Sequence, residues 1–442
     1  MIQRKEEKNM TFNSGIFTPI ETKGEVNHHV LVEKFFKKHK CVKVDNKYFV
    51  YDKTKGIWIF HTADELVDRI AKYCNKLYPD SWESRYRKKV LEEVRIKIDD
   101  QREFLDTDNL ICLSNGVLCI ETGVLMEHSP DYFFTSALGY AYDPNMDCPN
   151  FDKFLNDICK NNELRKNAIT EFMGYCLTYD IKNQQYAYFF GDGNNGKSTL
   201  IRLIEELVGE DFCTTLEVSE LSDKFSKVDI LGKKVITFAD ISPTDAKKVV
   251  SAVVKKLTSG DKISTDVKFQ ERVKFKPRAK LIFSSNHELS FLEDSTLGAQ
   301  RRAEIIPFLR KIPKKKVDVD LEKKLIAELP GIIEIARLGY LRLKTNKYKF
   351  SNHAESEKIL NRILAKEKPE SSFVNKKLKK SENNILLNSE IKQALKEWCE
   401  QNNIKYENIN YTKITSLMQE KYSAIPYKGT KGVRGWKNVI LK

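Results

Sequence analysis

Apolar and polar positions divide the chain into segments of different period. Over 31–60 a short helical stretch gives way to the alternating run Lys47-Tyr48-Phe49-Val50-Tyr51. A turn at Asp52–Gly56 and the run Ile57-Trp58-Ile59-Phe60 follow, which predicts a β-hairpin. Residues 63–105 carry a helical period, with Leu66, Ile70 and Tyr73 or Cys74 on one face. A β-rich piece from Ile111 to Leu125 is punctuated by Asn115-Gly116 and Thr122-Gly123. Pro144 and Pro149 bracket a connection, and Phe151 to Tyr179 is helical again. From about 183 to 310 strand and helix signals alternate, as in an α/β domain. Residues 318–363 are helical, 365–380 are polar and broken by Pro369, and 383–442 form a last small domain. The expected division is an α+β N-terminal domain over 1–145 serving as collar or DNA contact, a helical bridge over 146–182 and an α/β domain over 183–312. A helical subdomain over 313–365, a linker over 366–382 and a C-terminal domain over 383–442 complete it.

Composition adds bounds. The 442 residues include 76 Lys and Arg against 62 Asp and Glu, a formal charge of +14, and aromatics make up 10%, enough for several packed cores. No run of 18 apolar residues occurs and the start, MIQRKEEKNM, has no apolar signal core, so the expectation is a soluble cytoplasmic protein with no membrane partner. The nine cysteines are scattered without a CxxC pair, neither a disulfide framework nor a zinc pattern. The basic excess suits either solubility or a polyanion. Its location favours the second, because residues 371–442 carry 14 Lys and Arg against 6 Asp and Glu.

The strongest chemical signal is Gly191-Asp192-Gly193-Asn194-Asn195-Gly196-Lys197-Ser198, followed by Thr199, a match to G-x-x-x-x-G-K-[ST]. The β-rich run Gln185–Phe190 leads in. An amphipathic helix leads out, with Leu200, Leu203, Ile204 and Leu207 on one face. Such a loop points several backbone N–H groups at one phosphate and adds the helix dipole. Lys197 reaches the β- and γ-phosphates, and the Ser198 hydroxyl is a ligand for Mg²⁺, which makes ATP and Mg²⁺ the expected cofactors. The strand Val235–Asp240 ends in an acid suited to hold the metal and order water. The strand Lys280–Ser285 ends in Asn286, whose amide suits a γ-phosphate and attacking water, although a turn-forming Asn remains open there. Arg301 and Arg302 precede a further strand and could offset charge on a transferred phosphoryl group; a solvated basic turn is the alternative.

This succession resembles the superfamily-3 helicases, AAA+-like motors, in the branch of poxvirus and satellite-phage primase–helicases. Beyond the loop, the resemblance is carried by Asn115-Gly116-Val-Leu with Glu121-Thr-Gly123, and by His128-Ser-Pro-Asp131-Tyr-Phe-Phe-Thr-Ser136. Thr258-Ser-Gly-Asp261, Phe275-Lys-Pro277, Leu321-Glu-Lys-Lys-Leu325 and Glu328-Leu-Pro-Gly331 extend it to about residues 110–340. It implies a hexameric ring of an ATP-dependent DNA helicase, a replication initiator of a phage, plasmid or mobile element in a bacterial host, with 3′→5′ movement. Lys197, Ser198 and Asp240 would act within one subunit, Asn286 as sensor, and Arg302, with Arg301 second, would reach a neighbour's nucleotide. Ile263–Phe275 would form the family's channel hairpin, with Lys268, Arg272 and Lys274 facing single-stranded DNA. One departure stands. The family commonly ends its second motif in two acids, and here Ala239 precedes Asp240, which leaves open the group that orients water.

Residues 383–442 read as helix, helix and basic hairpin, a winged-helix order. Asn388 or Ser389 would cap the first helix and Thr412 the second. Lys413, Ser416, Gln419 and Lys421 would face double-stranded origin DNA, with Lys428, Lys431 and Arg434 on the hairpin. Residues 1–110 offer no acidic metal pair and little length for a polymerising site, so no primase activity is expected. Element-encoded or host replication proteins are the other expected partners. A different class also fits: an origin-binding ATPase that assembles on or remodels DNA without processive unwinding.

Overall fold

Local sequence explains where the elements start. In this computed structural model, which describes residues 21–22, 25–100, 107–222, 226–239, 241–242, 252–265, 273–288, 302–313 and 318–442, the chain forms two units. One comprises residues 1–107 with 126–137, the other 108–125 with 138–442.

The first unit contains α1 (His28–Lys38), β1 (Cys41–Val44), β2 (Lys47–Asp52), β3 (Ile57–His61), α2 (Ala63–Leu77) and α3 (Arg87–Lys97). The hairpin expected over 47–60 is present, with Phe49 opposite Phe60 and Tyr51 opposite Trp58. Thr62 and Glu65 form a reciprocal capping box that starts α2. Leu31, Phe35, Leu66, Ile70, Val90 and Val94 fill the core between the three helices.

The second unit opens with the hairpin β4 (Leu110–Leu113) and β5 (Gly116–Cys119), then α4 (Pro149–Cys159) and α5 (Glu163–Leu177). The α/β layer follows, with β6 (Tyr186–Phe190), α6 (Lys197–Val208), β7 (Cys213–Thr215), β8 (Val235–Phe238), α7 (Ala252–Ser259), the hairpin β9 (Ile263–Thr265) and β10 (Val273–Phe275), β11 (Lys280–Ser285) and β12 (Ala303–Pro307). Strands β7, β8, β11, β6 and β12 lie in that order in one parallel sheet. Helices α8 (Leu321–Ala327), α9 (Leu329–Thr345) and α10 (His353–Glu367) follow, then α11 (Pro369–Lys377), β13 (Leu378–Leu387), α12 (Asn388–Gln401), α13 (Tyr411–Tyr422), β14 (Ile425–Lys428) and β15 (Arg434–Leu441). Strand β15 lies between β13 and β14.

Three expectations need correction. Residues 108–125 and 138–145 belong to the α/β unit, not to a domain ending at 145. Asn115 reads the backbone of Tyr142 in both directions, accepting from its N–H at 2.9 Å and donating to its C=O at 3.0 Å. Tyr142 in turn donates to Glu334 at 2.7 Å on α9. The linker placed over 366–382 is helix and strand. Pro369 opens α11, where its missing N–H costs nothing, and Phe373 and Val374 are buried, Phe373 against Trp398 at 5.8 Å between rings. The caps also differ. Glu390 accepts from the Leu387 N–H at 2.8 Å, and Asn410, not Thr412, accepts from the Lys413 N–H at 3.2 Å.

Two buried lysines meet the C-terminal end of α5. The Lys234 ammonium donates to the Leu177 carbonyl at 2.9 Å and Lys280 donates to that of Thr178. Burial pushes Lys280 down to about 7 and Lys234 down to about 8. The unfolded chain then holds more protons than the folded one from about pH 7 up to the ordinary lysine range, so stability rises with pH there. Buried thiols such as Cys159, pushed up to about 12 by burial, reverse the trend once unfolded thiols ionise near pH 8.5. Thermal unfolding should therefore shift upward from about pH 7 to about pH 8.5, by about 2 kcal/mol for Lys280 alone. Lys280→Met should flatten that rise; an unchanged profile would refute the buried-amine account.

Candidate nucleotide site

The loop between β6 and α6 is shaped by its glycines. Gly191 and Gly196 have φ of 151° and 89°. A Cβ at Gly191 would stand 2.2 Å from the Phe308 carbonyl oxygen, and one at Gly196 would stand 2.7 Å from Ile158 on α4. Helix α4 is held in place by Glu328, a buried carboxylate that accepts from the N–H groups of Asn150 at 3.0 Å and Phe151 at 2.8 Å. The Glu328-Leu-Pro-Gly331 motif thus anchors the helix that packs on the loop.

Lys197 is 5% exposed. Its ammonium donates to the Gly191 carbonyl, to Asn195 Oδ1 at 3.2 Å and to Asn286 Oδ1 at 3.2 Å. The sheet order produces that last contact, because β11 lies directly beside β6. Asn286 is anchored on both sides: Ser285 Oγ donates to the Ile241 carbonyl at 2.8 Å, and Tyr188 on β6 donates to the His287 carbonyl at 2.9 Å. Burial pushes the Tyr188 phenol up to about 12. Asn195 is 3% exposed, and its amide donates to the Phe308 carbonyl at 3.3 Å, tying the loop to the end of β12. Asn194 accepts from the Ile312 N–H at 2.8 Å.

These residues fit a nucleotide phosphate. Gly196 offers no side-chain cap to α6, and apart from the Lys197 N–H, which donates to Asn195 Oδ1 at 3.4 Å, the positive end of this 12-residue helix is left to a ligand at the loop. Asp192, Gly193, Asn194 and Ser198 are exposed, and Thr199 is half-buried. A cavity of about 370 Å³ opens beside the loop, lined by Asn194, Gly196 and Thr199, by Phe154 and Asp157 of α4, and by Ile312 and Leu321. The sequence reading missed this cavity and the tie from Tyr188, since neither group belongs to a motif.

The other candidate residues divide. Asp240, Arg301, Lys268 and Arg272 lie outside the described residues, as does the side chain of Lys431. Arg302 lies at the far end of the sheet from the loop. Its carbonyl accepts from the Tyr186 N–H at 2.7 Å, and its Nη2 donates to Ser259 Oγ at 3.2 Å. Tyr186 pairs with Ala303 and Phe190 with Pro307, so Arg302 starts about 16 Å from its own loop along the strand. The hairpin arms pair Ile263 with Phe275 and Ser264 with the exposed Lys274. In the C-terminal domain Gln419, Lys428 and Arg434 are exposed, with Lys428 opposite Arg434 on the hairpin. Lys413 and Lys421 are exposed as well, Lys413 pairing with Glu370 at 3.2 Å and Lys421 donating to Asn375. Helix α11, not visible in the sequence, supplies both partners.

Parts of the chain are similar to known proteins. The family described as "D5 N terminal like" matches residues 29–160, and a family of unknown function, DUF5906, matches 189–302. The protein named "Putative helicase L207/L206" of Acanthamoeba polyphaga mimivirus is 28% identical over 221 residues, covering 48% of this chain and 23% of that protein. "Putative helicase 121R" of Invertebrate iridescent virus 3 is 25% identical over 251 residues, 52% of this chain and 26% of that protein. Over these residues the chain resembles the D5-like branch of the superfamily-3 helicases. "Uncoating factor OPG117" of Vaccinia virus is also similar to this chain, at 23% identity over 53% of the chain and 33% of that protein. The matches thus span about a quarter to a third of the length of these relatives. The solved C-terminal region of NrS-1 shares the D5-like chain's fold, with a TM-score of 0.53 at 11% identity over 93% of this chain and 99% of that one.

Proposed function

We propose that this D5-like chain is an ATP-dependent DNA helicase of a replication initiator, working as a hexameric ring. The observation that carries the reading is the Lys197 ammonium held between the loop and Asn286. A cation there can bind the β- and γ-phosphates, and the amide next to it can report whether the γ-phosphate is present. Ser198 and Asp240 would hold Mg²⁺, which supplies charge neutralisation to the transferred phosphoryl group. Arg302 would serve a neighbour's nucleotide, since it stands far from its own. Forked DNA with ATP is the test: wild-type protein should displace the strand, and a protein that hydrolyses ATP without displacement would favour assembly or remodelling on DNA instead.

The helix–strand–helix–helix–hairpin order over residues 369–442 supports a winged-helix DNA-binding domain. Its contacts would come from Gln419, the hairpin pair Lys428 and Arg434, and the exposed Lys413 and Lys421, which also engage Glu370 and Asn375. Helix α10 stays with the motor, because Ser356 accepts from the Ile305 N–H at 2.8 Å and Asn352 donates to the Ile305 carbonyl at 3.1 Å. Deleting 369–442 should therefore abolish sequence-specific duplex binding while DNA-stimulated hydrolysis survives. Specific binding that persists after the deletion, measured by footprinting, would move recognition elsewhere.

A further inference from the structure

The first unit carries a groove that no motif marks. It has a volume of about 690 Å³, and its walls come from the end of α1, the end of β3 and one face of α2. Arg69, Lys72, Tyr73 and Lys76 fall on that face at spacings of three, one and three residues, so the cations span about 10 Å along the helix. Lys38 joins them from α1, its ammonium 5.4 Å from the centre of the Tyr73 ring.

Two carboxylates also line the groove, and both are committed elsewhere. Asp68 pairs with Arg87, and Glu65 caps its own helix through Thr62. Among the described residues no ion pair engages Lys38, Arg69, Lys72 or Lys76; Arg69 bonds only the His61 ring, at 3.1 Å. Lys38, Lys72 and Lys76 are exposed. The uncompensated charge is felt by the two histidines beside it. Burial lowers His39 and His61, and the Arg69 charge lowers both further. Half-buried Tyr73 and His39 supply ring surface, set perpendicular at 5.9 Å between centroids.

We propose that this groove binds single-stranded nucleic acid, with backbone phosphates at Lys72, Lys76 and Arg69 and a base against Tyr73. The combination of a cation row with ring surface selects this ligand. A polyanion needs the cations, but only a strand with unstacked bases also uses the rings. An acidic protein segment would satisfy the lysines and leave Tyr73 idle. The inference extends the helicase reading without depending on it, because the groove lies apart from the nucleotide loop in sequence and its test needs no ATP.

The experiment measures binding of labelled oligothymidylate to the full-length protein, without nucleotide, across a salt series. The channel and the C-terminal domain contribute equally to every variant, so differences report the groove. Lys72→Ala with Lys76→Ala should weaken binding about tenfold and reduce the log–log salt slope by about 1.4, or about 0.7 for each phosphate no longer neutralised. Tyr73→Leu should weaken binding about fivefold with the slope unchanged, as expected when a base loses its stacking ring. Thermal midpoints and DNA-independent ATP hydrolysis should stay at wild-type values, because the two lysines are exposed. Unaltered affinity and slope in the double variant would overturn the proposal. So would polyglutamate binding that the double variant abolishes while oligothymidylate binding is untouched, a result that assigns the groove to an acidic protein.

Discussion

Lys197→Ala should lose ATP hydrolysis by about 10³-fold or more, and strand displacement with it. The size follows from where the ammonium stands. It is almost fully buried, and its three described acceptors are oxygens of the loop and of Asn286. In such a site a charge acts through little intervening water, so its pull on a developing phosphate charge is strong and no other described group can substitute. Lys197→Arg should fail almost as badly, since the planar guanidinium is larger than a slot shaped by Gly191 and Asn195 and cannot act as the same point charge. DNA binding measured without nucleotide should be retained, because the elements expected to meet DNA, the channel hairpin and residues 369–442, are distinct from the loop that carries Lys197. A steady-state ATPase assay decides it: hydrolysis within tenfold of wild type would place the phosphate site elsewhere.

The candidate nucleotide site was legible because its parts are local in sequence. The loop follows a strand and precedes a helix within a few residues, and the glycines at 191 and 196 have no structural substitute at their φ values. What joins the parts is not local. Asn286 meets Lys197 only because β11 inserts between β6 and β8, an order that no periodicity prints. The same limit explains the errors at the C-terminal end. Pro369 and the surrounding lysines read as a linker, yet Pro at the first helical position starts a helix. The apolar pair Phe373-Val374, a weak signal in a charged stretch, is enough to dock it under Trp398. Once α11 exists, Glu370 and Asn375 come within reach of Lys413 and Lys421 and partner both on the surface expected to meet DNA. A further link lies beyond any motif. Glu288, two residues past Asn286, pairs with Arg362 on α10, and α10 runs on through Ala365 into the core of the C-terminal domain. Asn286, the proposed γ-phosphate sensor, and the expected DNA-binding domain are thus linked through Glu288, which pairs with both Arg362 and Lys366 of one helix.

Gly174→Val should unfold the second unit at temperatures where the wild type is intact. Helices α5 and α9 cross at a distance set by two glycines. A Cβ at Gly174 would stand 1.9 Å from the Ala336 carbonyl oxygen, and one at Gly339 would stand 2.4 Å from that of Thr170. Both obstacles are backbone, so neither can rotate away, and the helices must separate. Separation pulls apart a buried charge network at the same crossing. Glu171, fully buried, accepts from Arg342 Nε at 2.8 Å and from the Ser351 N–H at 2.8 Å. Leaving that carboxylate short of partners costs several kcal/mol on its own. Together with overpacking, the loss should be about 4 kcal/mol or more, a shift of roughly 10 °C in the unfolding midpoint. Gly174→Ala should fall between wild type and Val, while Gly139→Ala, where a Cβ meets nothing within 4 Å, should be neutral. Activity should fall with stability, because the C-terminal carbonyls of α5 are held by Lys234 and Lys280 next to β8 and on β11, and β11 carries Asn286 to the loop. Calorimetry on the three variants tests the crossing directly: a Gly174→Val protein that melts with the wild type would mean that the two helices do not meet there.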